Sequence, residues 1–194
     1  MKKPLLLICL MFILFEFNLP VTCAKESPEF EMSARLEGGL VLGGQIINDG
    51  LIYLSGSNLM YTNSIKTSGN SFLGLGAGFY NFRNETFIPF VFDFFGFTGK
   101  SKNKPFLNFQ AGYSLGFSDL YKNYSDYNFK GGLCFSAGLG KCFAISNRFS
   151  ALISISYRHQ FAHVRYTYSG VSEIESDLNY DMLLFTFGIM ICQD

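Results

Sequence analysis

The sequence predicts an all-β chain closed into an eight-stranded antiparallel up-and-down transmembrane β-barrel. Three observations predict it. A short apolar run at the N-terminus marks export, the chain beyond it alternates with period two, and the alternating segments are about ten residues long, enough for a tilted strand to cross a bilayer. The composition fits, with 48% apolar and 15% charged residues, 23 Phe, 11 Tyr and 20 Gly in 194 residues. Fifteen basic residues balance fifteen acidic ones, so there is no positive field to recognise nucleic acid.

The N-terminal segment reads as an address. Lys2 and Lys3 precede eleven uninterrupted apolar residues, Leu5 to Phe15, too few to span a hydrocarbon core of about 30 Å as a helix. Pro20 ends the run, and Val21-Thr22-Cys23-Ala24 supplies small residues for cleavage after Ala24. Residues 1–24 are therefore expected to be a cleaved signal peptide and residues 25–194 a single barrel domain. Lipidation at Cys23 is disfavoured, because Pro20-Val21-Thr22 poorly matches the apolar-small-small pattern before a lipidated cysteine.

The strands follow in order. Ala34 to Gly43 is the first and Leu51 to Tyr61 a weaker second. Leu73 to Tyr80 alternates apolar residues with glycine, which no stable helix tolerates so densely. Phe87 to Phe97 and Pro105 to Phe117 come next, and because proline cannot donate to a ladder, Pro105 should begin its strand and Pro89 should lie near the loop end of its own. Leu133 to Ile145 and the segment from Phe149 to Gln160 alternate around the polar turn Ser146-Asn147-Arg148, and Tyr180 to Cys192 is the last.

Which way the faces point separates two architectures. A soluble lipocalin-like barrel turns its apolar side chains inward around a ligand, whereas an outer-membrane barrel turns them toward lipid. The minor face collects Arg35, Glu37, Asp93, Asn108, Gln110, Ser154, Ser156 and Arg158, a poor lining for an apolar ligand. These residues are expected to form a polar network inside a narrow lumen, with Asp93 and Glu37 as candidate partners for Arg158. The major face carries Leu36, Leu40, Leu73, Phe92, Leu107, Ile153 and Phe187, which suit lipid. Eight strands leave an interior just filled by side chains, so no open pore is expected.

The succession Phe72-Leu73-Gly74-Leu75-Gly76-Ala77-Gly78-Phe79, Phe87 to Asp93, Pro105 to Ser114, Gly131 to Gly140 and Ala151 to Arg158 resembles the small eight-stranded outer-membrane β-barrel proteins of Gram-negative bacteria. The likeness covers roughly residues 70–192. It implies residence in the outer membrane, contact with its lipid, and insertion by the barrel-assembly machinery. The ending Ile191-Cys192-Gln193-Asp194 departs from the terminal aromatic residue common in such barrels.

With both termini periplasmic, the segments near 63–70, 99–104 and 146–148 become periplasmic turns. Ser118 to Lys130 becomes an outside loop offering Tyr121, Tyr124 and Tyr127 for contact with an extracellular ligand. Tyr168 to Asn179, with Glu173, Glu175 and Asp177, becomes another.

Chemical motifs mostly fail. Gly138-Leu139-Gly140-Lys141 lacks the first glycine and the hydroxyl residue of a phosphate loop. Cys134 and Cys142 would stand about 26 Å apart on one strand and cannot pair, and His159 and His163, about 13 Å apart, cannot share one ion. No cofactor, metal site or catalytic residue is expected. A membrane lipid hydrolase using outward-facing His159 or His163 is the sharpest alternative, but Ser154 and Ser156 lie on the opposite face and no acid is evident to orient an imidazole. A monomer acting through its surface, without enzymatic activity, is the expected function.

Overall fold

The computed structural model describes residues 31–47, 50–82, 84–98, 103–119, 125–146, 148–168 and 172–193. The expected signal peptide lies outside them. Eight strands, β1 (Met32–Ile47), β2 (Gly50–Ser68), β3 (Ser71–Phe82), β4 (Glu85–Phe97), β5 (Lys104–Ser118), β6 (Ser125–Ala144), β7 (Phe149–Tyr168) and β8 (Ser172–Gln193), follow one another antiparallel in a closed ring. Register pairing between β1 and β8, from Met32 opposite Gln193 to Ile46 opposite Asn179, closes it. Gly39 permits this seam, since a Cβ there would fall 1.9 Å from the carbonyl oxygen of Phe185.

Register partners followed around the ring from Phe149 through Ile191, Ala34, Asn63, Leu75, Phe92, Ala111 and Phe135 return to β7 at His159. The displacement, 159 minus 149, is a shear of ten residues. At the usual rise and strand spacing this shear tilts eight strands by about 40° from the barrel axis. The interior is then only wide enough for side chains.

Alternation decides what fills it. Leu40, Leu75, Phe92, Leu107, Phe109, Leu133, Leu139 and Phe187 are all more than half exposed on the outside, a continuous apolar belt far larger than soluble monomers present. The inward face stacks three layers. Toward the hairpin end lies an apolar plug of Val41, Tyr80, Phe82, Phe87, Val164, Leu178 and Tyr180. Toward the terminal end lies a second, of Phe72, Phe95, Phe106, Cys142, Leu152 and Met190. Buried polar residues occupy the middle. The one cavity described in this middle layer, about 20 Å³, has room for roughly a single water and none for a lipocalin-type ligand.

Several strands differ from the sequence expectation. β2 runs to Ser68, so residues 63–68 are strand and only Gly69 and Asn70 turn, with Gly69 left-handed at φ 53°. Pro89 lies inside β4, buried rather than at a loop end. It is tolerated because the β3–β4 ladder is interrupted there, with pairs at Ala77–Phe90 and Tyr80–Phe87 in one register and none between. Pro105 sits one residue into β5. The largest departure is in β6, β7 and β8, which are 20, 20 and 22 residues long against 12 for β3 and 13 for β4. Within the segments expected as outside loops, Ser118 to Lys130 and Tyr168 to Asn179, Ser125–Lys130 and Ser172–Asn179 are strand.

Candidate functional site: the lumen network and the protruding sheet

The interior polar layer is organised around Arg35. Its Nη2 donates to Asp93 Oδ1 at 2.7 Å, its Nε stands 3.0 Å from Glu37 Oε2, and its guanidinium lies 4.2 Å from the centre of the Phe95 ring. Gln110 Nε2 donates to the same Asp93 oxygen at 2.8 Å, and Ser136 donates to Gln110. Asn108 is buried in the same layer and lines its cavity.

Arg158 is not held by Asp93 or Glu37, contrary to the sequence expectation. Its Nη2 donates to Ser114 Oγ at 3.3 Å and Gln160 Oε1 at 3.4 Å, and its guanidinium lies 4.2 Å from the centre of the Tyr80 ring. The physical reason is register. Arg35 lies close enough to take both carboxylates, and the stagger of β7 sets Arg158 against Ser114, Gln160 and Tyr80 instead. Parity in the sequence identifies the face; only the stagger between strands selects the partner.

The second polar region lies beyond the apolar belt, at the hairpin end. β8 pairs with β1 only up to Asn179, so Ser172–Leu178 is bonded to β7 alone among the described residues. β6, β7 and the end of β8 thus project past the barrel rim as a three-stranded sheet. Its outer face carries rows of opposed side chains, with Lys130 opposite His163 opposite Asp177, and Asn128 opposite Arg165 opposite Glu175. Its inner face packs Val164, Leu178, Tyr127, Phe129 and Tyr166 onto the apolar plug. Tyr127 is therefore a half-buried strand residue rather than a loop contact; Tyr121 and Tyr124 lie outside the described residues.

Both histidines have acids beside them, which the sequence reading did not find. His159 Nδ1 lies 2.6 Å from Asp181 Oδ1, which also accepts from the Tyr157 hydroxyl, and the imidazole stacks on Phe135. His163 is gripped from both sides, Nδ1 at 2.8 Å from Asp177 Oδ1 and Nε2 at 2.9 Å from Glu175 Oε1. The hydrogen bond to Asp177 leads in holding its pKa above 6.5. A hairpin folded about residue 170 pairs 159 with 181 and 163 with 177, a signal that could have been used had the segment been read as a hairpin. Hydrolase chemistry also needs a nucleophile. Among the described residues no Ser, Thr or Cys is hydrogen-bonded to either imidazole.

No protein-family model and no curated protein matches the sequence. Solved structures do match in shape. Neisserial surface protein A aligns at a TM-score of 0.59 with 10% identity, over 86% of this chain and 99% of its own. The outer membrane protein OprG of Pseudomonas aeruginosa aligns at 0.48 with 10% identity, over 81% and 95%, and the N-terminal barrel of OprF from the same organism at 0.45 with 10%, over 83% and 97%. At such identity the first of these shows a shared fold, that of the small outer-membrane barrels. The fold and the exposed apolar belt together define an eight-stranded membrane-spanning barrel.

Proposed function

We propose that this protein is a non-enzymatic surface-interaction barrel, exported, inserted in the outer membrane by the barrel-assembly machinery, and acting through the sheet that β6, β7 and β8 raise above the rim. One observation carries the reading. Among the described residues the segment Ser172–Leu178 of β8 has ladder partners on one side only, an open strand edge held up by the two strands behind it. Such an edge binds an extended polypeptide by adding a strand, the main chain supplying affinity and alternate side chains supplying selectivity. Glu173, Glu175 and Asp177 alternate along it and are engaged by Arg165 and His163 of the strand behind, so the main chain of the open edge is what a partner strand would meet.

Protease added to intact cells tests both the topology and the role. With both termini periplasmic, cleavage should fall first between Asp119 and Tyr124, the connection between β5 and β6, while the strands stay protected. Replacing residues 165–176 by a short turn should spare membrane insertion and abolish surface binding, because barrel stability resides in the ladders below the rim. Cleavage only after permeabilisation would invert the topology, and undiminished binding by the shortened protein would move recognition elsewhere.

A further inference from the structure

We propose that His163, Asp177 and Glu175 form a proton-operated latch that holds the β7–β8 hairpin extended in acid and loosens it in alkali. The geometry requires a particular charge state. Both ring nitrogens of His163 face carboxylate oxygens, Nδ1 toward Asp177 at 2.8 Å and Nε2 toward Glu175 at 2.9 Å. A neutral imidazole has one N–H and one lone pair, so it could satisfy only one of these carboxylates and would set its lone pair against the other; the imidazolium satisfies both. The arrangement is therefore complete only when His163 is protonated.

The groups around it favour that state on balance. From β8 come Asp177 and Glu175. From β6 comes Lys130, the register partner of His163, whose cation opposes protonation. On β7 itself Arg165 is engaged with Glu173. Two carboxylates in contact outweigh one ammonium across the strand. The pKa is raised, so the contribution of the latch is fully present below about 6.5 and is lost as pH rises through the higher folded value. The His163 side chain is 33% exposed and that of Asp177 90%, so solvent screening keeps the effect small and local to the hairpin.

The latch acts on Ser172–Leu178, a part of β8 with β7 as its sole strand partner among the described residues, where few other contacts oppose opening. Its consequence for partner docking rests on the surface-interaction reading above: the edge is a straight template when latched and a frayed one when not.

The mature protein refolded in detergent micelles allows a direct test, because its two histidines give two resolvable imidazole signals. His163 should titrate above about 6.5, and the double variant E175Q/D177N should weaken its proton affinity by about tenfold, one unit. Backbone amide signals of residues 172–178 should broaden between pH 5.5 and pH 8.5 in the native protein, and H163Q should show the broadened state at both. A native midpoint below the ordinary value, a midpoint unchanged in the double variant, or the same pH response in H163Q would each overturn the latch. An uncharged extended peptide of alternating Thr and Val, added at both pH values, separates the two ideas. Binding only at the lower pH supports both, whereas no binding at either pH alongside a titrating latch overturns the docking reading alone.

Discussion

Replacing Arg35 with methionine should destabilise the barrel by about 3–5 kcal/mol, the usual cost of leaving buried charge uncompensated. The guanidinium is 3% exposed and serves two carboxylates, Asp93 at 2.7 Å and Glu37 at 3.0 Å, themselves 1% and 6% exposed. Removing it strands both in a layer sealed above and below by apolar plugs. The ring of Phe95 loses its cation as well. Arg158→Met should cost clearly less, since Arg158 touches hydroxyl, amide and aromatic groups but no carboxylate. A triple change that neutralises the cluster, Arg35→Met with Asp93→Asn and Glu37→Gln, should recover much of the loss. Urea unfolding of the refolded barrel in detergent measures all three. Equal losses for Arg35→Met and Arg158→Met would show that charge in the layer is counted as a whole, not contact by contact.

That contrast marks how far the sequence could be read. Arg35, Glu37, Asp93, Asn108, Gln110 and Arg158 were legible as one face because side chains alternate strictly along a strand, and the structure buries all six. Which of them meet was not legible. Contact across the lumen depends on the shear of the closed ring, a sum over eight registers that no single segment encodes. The upper halves of β6, β7 and β8 were missed for a different reason. Between Ser125 and Lys130 and between Ser172 and Leu178 the outward positions carry Asn128, Lys130, Glu173, Glu175 and Asp177, so the apolar alternation that signals a lipid-facing strand stops at the membrane boundary while the ladder continues into water. A polar strand held by its neighbours reads like a loop. In β6 the pairing with β7 also slips, with two residues, Gly132 and Leu133, set against Phe161, and again between Ser125 and Asn128, which scrambles the parity that a sequence reading relies on.

Phe87→Ala should cost a further class of stability, about 3–5 kcal/mol, and should still leave the barrel closed to ions. Phe87 is 1% exposed. Its ring meets Tyr180 at 5.2 Å, Phe129 at 5.8 Å and Phe82 at 6.3 Å between centres, so truncation removes the middle of the plug at the hairpin end. The neighbouring rings belong to β3, β6 and β8 and are fixed by their ladders, so they cannot collapse fully into the space. Permeation needs a continuous path, however, and below this plug lie the Arg35 and Arg158 networks and then Phe72, Phe95, Phe106 and Leu152. Planar-bilayer recordings of the native protein and of Phe87→Ala should therefore show no unitary conductance, while urea midpoints fall for the variant. A combined Phe87→Ala/Phe95→Ala protein opens both ends but leaves the polar layer between them, and should lower the urea midpoint further without passing current. Steady conductance in the native protein would mean that the layers part in a bilayer, and the function would then have to be sought in transport and not at the strand edge.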